Sequence, residues 1–89
     1  MTFSKENAEQ RIKSILVEDL FVAEDVSEIG SDAGLAEELG LDSVGFMELS
    51  TLLSETYRVA ILDTDMKSGS FANVNSIVAF IEGKLREIP

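Results

Sequence analysis

Few side chains in this chain can do chemistry, and the segment Leu39-Gly40-Leu41-Asp42-Ser43-Val44 offers the best-placed ones. A glycine leads into an apolar, helix-like run, and a hydroxyl stands at its entrance. A side chain there can accept a hydrogen bond from the free amides of a first helical turn, so Asp42 or Ser43 can serve as a cap. The surroundings decide whether Ser43 does more than that.

Other chemistries are excluded by what is missing. The sequence holds no His and no Cys. A Ser-His or Cys-His nucleophile, a His-ligated zinc and a thiolate metal site are therefore impossible, and no disulfide staples the fold. Gly40-Leu41-Asp42-Ser43 lacks the spacing and the Lys of a phosphate-binding loop. Asp63-Thr64-Asp65 opens like a calcium loop, but Ser68 stands where that loop needs Gly and Val74 where it needs Glu. Nothing brings two acids together in an apolar cleft for acid–base work. No catalytic residue and no metal site is assigned, and the chain is expected not to be an enzyme.

Charge narrows the partners. Seventeen acids against seven bases give a net charge of −10 over 89 residues. Eleven of those acids lie in residues 14–57, which contain no Lys or Arg. Such a surface repels nucleic-acid phosphates and attracts proteins with basic patches. No apolar run approaches the about 20 residues of a membrane span, and no signal-like stretch follows Met-Thr-Phe-Ser-Lys-Glu, so a cytoplasmic protein without membrane insertion is expected.

The elements that must position Ser43 are helices. Ala8, Ile12, Ile15 and Leu16 recur at helical spacing, with Leu20 continuing the stripe and Ser4 or Thr2 as cap. Residues 17–22 and 58–62 are apolar but short, weak strand signals without partners. Residues 21–41 form a long loop, and Leu35-Ala36-Glu37-Glu38-Leu39 is a candidate helical turn inside it. A second helix should open at Asp42 or Ser43 and run to about Tyr57. Phe46, Leu49, Leu53 and Tyr57 form its buried stripe, while Val44, Met47, Glu48 and Thr51 lie on another face. Gly45 inside it weakens it by about 1 kcal/mol relative to Ala. Residues 62–69 leave room for one short helical turn. A last helix should begin at the cap Asn73, carry Val74, Ile77, Val78, Ile81 and Leu85 inward, and end near Glu87, before Pro89. The expected fold is all-α: a small four-helix bundle of three main helices and one short one, with a long first loop.

With these residues in place, the sequence resembles the acyl carrier proteins. Their signature is Leu-Gly-hydrophobic-Asp-Ser-hydrophobic at the head of the second helix, here Leu39-Gly40-Leu41-Asp42-Ser43-Val44. Glu48-Leu49 stands where the family has a Glu-Leu pair. Phe71-Ala72-Asn73-Val74-Asn75-Ser76-Ile77-Val78-Ala79-Phe80-Ile81 is similar to the family's final segment. The likeness spans roughly residues 5–87 and makes residues 1–89 a single carrier domain.

The resemblance implies 4′-phosphopantetheine, transferred from coenzyme A by a phosphopantetheinyl transferase to the Ser43 hydroxyl. Acyl cargo would hang from the arm as a thioester, which explains thiol chemistry on a chain without Cys. Lining candidates for that cargo are Phe46, Leu49, Leu53, Ile61, Phe71, Val74 and Ile77, all equally able to be plain core. Asp42, Val44, Met47 and Glu48 would meet the transferase and acyl-processing enzymes with basic docking patches. The carrier itself is expected to be a monomer.

Ser50, Thr51 and Ser54 stand where the family often has acids, and Gly45 and Phe46 where polar residues are common. A specialised carrier for fatty-acid, polyketide or related synthesis fits these departures. A peptidyl or D-alanyl carrier is the alternative; Leu41, where peptidyl carriers more often show a second Gly, and the strong acidity favour acyl cargo. A second alternative is an acidic helical interaction module without a covalent arm, in which Ser43 is only a cap.

Overall fold

The computed structural model describes residues 3–67 and 69–86. Thr2, Ser68, Glu87 and Pro89, each part of an expectation above, lie outside the described residues. The elements are α1 (Lys5–Glu18), a 3-10 turn (Val26–Glu28), α2 (Ser43–Tyr57), α3 (Asp63–Lys67) and α4 (Val74–Arg86). Among the described residues there is no strand; 17–22 and 58–62 are an end of helix, loop and turn. No helix of the described residues is long and apolar enough to cross a membrane.

The helices start where local chemistry puts them. Ser4 caps α1 by accepting the Asn7 amide at 3.2 Å, and Asn73 caps α4 by accepting the Ser76 amide at 2.8 Å. In α3 the Asp65 carboxylate reaches back to the Leu62 amide at 2.8 Å, half of a capping box. Lys84 of α4 then pairs with Asp65 at 3.3 Å, which ties the short helix to the last one.

Helix α1 packs against both α4 and α2. Its buried face is Ala8, Ile12, Ile15 and Leu16. They meet Leu49 and Leu53 of α2 and Val74, Ile77, Val78 and Ile81 of α4 in one core. Burial of each large aliphatic side chain contributes about 1.5–3 kcal/mol, which for so small a chain makes the core the dominant stabilising term.

The long loop joins that core instead of floating over it. Ile29, Leu35 and Leu41 are all buried. The Leu35 amide donates to the Ala72 carbonyl at 2.9 Å, and the Asn75 amide donates to the Ser31 carbonyl at 3.0 Å. The Asn75 side-chain amide also donates to Asp32 at 2.6 Å, and the Ser31 hydroxyl donates to Glu9 of α1. Residues 35–39 form turns, not a helix; Glu38 and Leu39 both donate to the Gly34 carbonyl, at 2.9 and 3.2 Å.

Among the described residues, two other than glycine sit in left-handed backbone. Arg58 (φ 56°) ends α2, donating its amide to the Ser54 carbonyl. Phe21 (φ 56°) follows α1, between a Leu20 amide bonded to the Ile15 carbonyl at 3.1 Å and a Val22 amide bonded to the Leu16 carbonyl at 3.0 Å. Left-handed backbone costs an L-residue about 1–2 kcal/mol.

Candidate functional site

Ser43 is the first residue of α2, and its side chain is exposed. The sequence left the cap open between two residues; the structure gives it to Asp42. The Asp42 carboxylate accepts the Gly45 amide at 2.8 Å, and the Asp42 carbonyl accepts the Phe46 amide at 2.9 Å. Among the described residues nothing hydrogen-bonds to the Ser43 hydroxyl, nor to the amides of Ser43 and Val44. The first turn of α2 therefore presents a free hydroxyl, two free N–H groups and the positive end of a helix dipole.

Glycines make this turn possible. Gly40 (φ 74°) reverses the chain into the helix in a backbone region that side chains rarely adopt. Gly45 has a packing role that helix propensity hides. A Cβ there would run into Leu41 Cδ1 and lie only 3.0 Å from Leu41 Cγ. The buried Leu41 side chain is laid across the first turn of α2, and any larger residue at position 45 would force it to shift.

Beside Ser43 lies an open groove of about 440 Å³ between α2 and α3, within the size range of small-molecule clefts, about 300–1,000 Å³. Phe46, Met47, Met66 and Phe71 give it apolar walls; Glu37, Asp63 and Lys67 bring charge to it. Of the expected lining residues, Phe46 and Phe71 line this groove. Leu49, Leu53, Val74 and Ile77 lie in the core, fully shielded from solvent, and Ile61 packs half-buried against it. Met66 and Lys67 were not anticipated. They fall in residues 62–69, where the sequence leaves room for one short helical turn, and only the folding of α3 brings them opposite α2.

Val44 and Met47 are 62% and 65% exposed, and Asp42 and Glu48 are exposed beside them. A shallow depression continues this face through Thr51 and Leu52 to Asp19 at the end of α1. Phe21 belongs to the same side of the molecule, in a groove with Asp42, Val44 and Glu48, and is 82% exposed. Periodicity does not reveal it, because it lies just past the end of α1.

Three acids are shifted by contacts that hold structure, among them Asp25 in the long loop, lowered by the Ser27 hydroxyl and amide. Glu9 is shifted below the ordinary carboxylate range, first by the Ser31 hydroxyl and then by Lys13, which approaches to 3.1 Å. Asp65 is shifted down by the Leu62 amide, with Lys84 assisting. Among the described residues no group of three or more His, Cys, Asp or Glu could hold a metal ion.

Comparison with known proteins agrees with this geometry. Residues 10–81 match the family described as "Phosphopantetheine attachment site". The chain is 33% identical over 78 residues to an acyl carrier protein of Solidesulfovibrio magneticus, covering 88% of this chain and 95% of that protein. It is 33% identical over 82 residues to an acyl carrier protein of Thermotoga maritima, covering 92% and 96%. An acyl carrier protein of an Exiguobacterium species is 36% identical over 64 residues, covering 72% and 78%. Family, helical bundle and chain coverage agree: the chain belongs to the acyl carrier proteins, the family that bears covalently attached 4′-phosphopantetheine.

Proposed function

We propose that this chain carries acyl intermediates as thioesters on a 4′-phosphopantetheine arm at Ser43, as a single, non-catalytic carrier domain working in the cytoplasm. The observation that carries the proposal is the division of labour at the head of α2. Asp42 holds the helix end, which leaves the Ser43 hydroxyl exposed and uncommitted.

The surroundings fit the group. A phosphodiester on Ser43 would stand at the N-terminus of α2, where the free amides of Ser43 and Val44 and the helix dipole favour negative charge. The bound arm supplies a terminal thiol, which the chain itself lacks. An acyl tail exposed to water is penalised by about 0.8 kcal/mol per CH₂. Phe46, Met47, Met66 and Phe71 offer an apolar groove in which such a tail is shielded.

Its partners would be a phosphopantetheinyl transferase and acyl-processing enzymes with basic docking patches. Asp42, Val44, Met47 and Glu48 form the face they would meet, with acids steering the encounter and two exposed apolar side chains making contact. Fatty-acid, polyketide or related biosynthesis is the setting, and the exposed Thr51 and half-buried Ser50 and Ser54 mark a specialised carrier.

Loading tests the cargo. Once the arm is attached, the chain is offered to an acyl ligase and to an aminoacyl ligase, each with its own substrates. Acyl thioester formation is expected; exclusive loading with amino acids would replace this proposal with a peptidyl or D-alanyl carrier.

A further inference from the structure

Phe21 is anomalous twice. Its backbone lies at φ 56°, in the region where glycine is unstrained and a phenylalanine is not. Its ring is 82% exposed, so the core gains almost nothing from it. A residue kept only to turn the chain at the end of α1 would be Gly or Asn.

The position of the ring gives it another use. It lines a groove with Val44, Asp42 and Glu48, between the end of α1 and the head of α2. Asp42 and Val44 are the two neighbours of Ser43 in the chain. Two acids, Asp42 and Glu48, line the groove, Asp19 lies in the adjoining depression with Val44 and Glu48, and Glu18, Glu24 and Asp25 stand within four residues of Phe21 in the chain. No Lys or Arg lies between Ser14 and Tyr57 to offset them.

We propose that Phe21 is an anchor for the transferase that modifies Ser43, its ring entering an apolar pocket on that enzyme whose rim carries Lys and Arg. The proposal rests on Ser43 as the attachment point. The transferase is the occupant this position favours, because Asp42 and Val44, which share the groove with Phe21, flank Ser43. It must bring the serine oxygen itself to the β-phosphorus of coenzyme A, where the new O–P bond forms as the pyrophosphate bond breaks, adenosine 3′,5′-bisphosphate leaves and the hydroxyl proton passes to a base on the enzyme, so its surface covers whatever flanks that hydroxyl. An enzyme acting at the far end of an attached arm can stand further off. An exposed aromatic ring beside charge of one sign is what a desolvated hot spot inside a steering rim demands of its partner.

The test is Phe21→Gly in the full chain, assayed for phosphopantetheine transfer from coenzyme A by a broad-range transferase. Glycine removes the ring and relieves the left-handed strain, so the melting temperature should hold or rise. The KM for the carrier should rise about 10-fold or more, with kcat changed less than about 3-fold. Phe21→Leu, which keeps an apolar side chain, should recover part of the loss. The opposite signs for stability and transfer exclude a purely structural role. An unchanged KM for Phe21→Gly, with the wild type converted normally, would overturn the anchor and leave the attachment site standing. A wild-type chain that is never converted would overturn the attachment site, and the anchor with it.

Discussion

The Asp42 carboxylate accepts the Gly45 amide at 2.8 Å, so the helix that opens at Ser43 is held by the residue before it. Loss of the two side chains should then have unequal effects. Asp42→Ala removes the cap and should destabilise the fold by about 1 kcal/mol. Ser43→Ala removes an exposed hydroxyl with no partner and should stay within about 0.5 kcal/mol of wild type. Urea denaturation of the two variants measures this; equal losses would mean that Ser43 shares the cap.

Gly45→Ala should reverse the usual rule for helices. Alanine is the better helix former by about 1 kcal/mol, yet here its Cβ meets the buried Leu41 side chain. Overpacking of this kind costs about 1–3 kcal/mol. A net loss of stability is expected, and the double variant Leu41→Ala/Gly45→Ala should lose less than the sum of the two single changes. A gain on Gly45→Ala alone would contradict the close packing.

Much of this arrangement can be read from the chain. Helix α2 was expected to open at Asp42 or Ser43 and runs from Ser43 to Tyr57, and Ser4 and Asn73 cap the helices they precede. These signals are local: a capping side chain, a 3.6-residue stripe and a glycine. What was not legible depends on distant contacts. Leu35 looks like part of a helical turn, yet it is buried because its amide finds the Ala72 carbonyl 37 positions away in a turn before α4. Gly45 looks like a weak point in a helix until Leu41 is seen lying over it. The backbone angle of Phe21 follows from how α1 ends, which residue type does not announce.

The long loop should behave as part of the core. Leu35→Ala should cost about 2–5 kcal/mol, as for any fully buried leucine. Asn75→Ala removes only the exposed side-chain bond to Asp32, since the backbone bond from the Asn75 amide to Ser31 remains. It should cost no more than about 1 kcal/mol. Chemical denaturation separates the two; a Leu35→Ala loss below about 0.5 kcal/mol would show a loop that is not packed.

Acid should weaken the fold through Glu9. Its pKa in the folded state is lowered, first by the Ser31 hydroxyl and then by Lys13. A group shifted down stabilises the fold above its unfolded pKa, and that contribution is lost as pH falls through the folded value. Asp65, lowered by the Leu62 amide, acts in the same direction. Urea midpoints followed from pH 7 downward should fall as the pH drops from the ordinary carboxylate range to the lower folded-state values, and Glu9→Gln should make that fall shallower. An identical acid limb in wild type and variant would refute the role of the Glu9–Ser31 contact.

Intact-mass analysis after incubation with coenzyme A and a broad-range phosphopantetheinyl transferase bears most directly on the tether. Wild type should gain the mass of one phosphopantetheinyl group, fragment spectra should place it on Ser43, and Ser43→Ala should gain nothing while remaining folded. A wild type that gains no mass, or a Ser43→Ala chain that gains the same mass, would contradict the account.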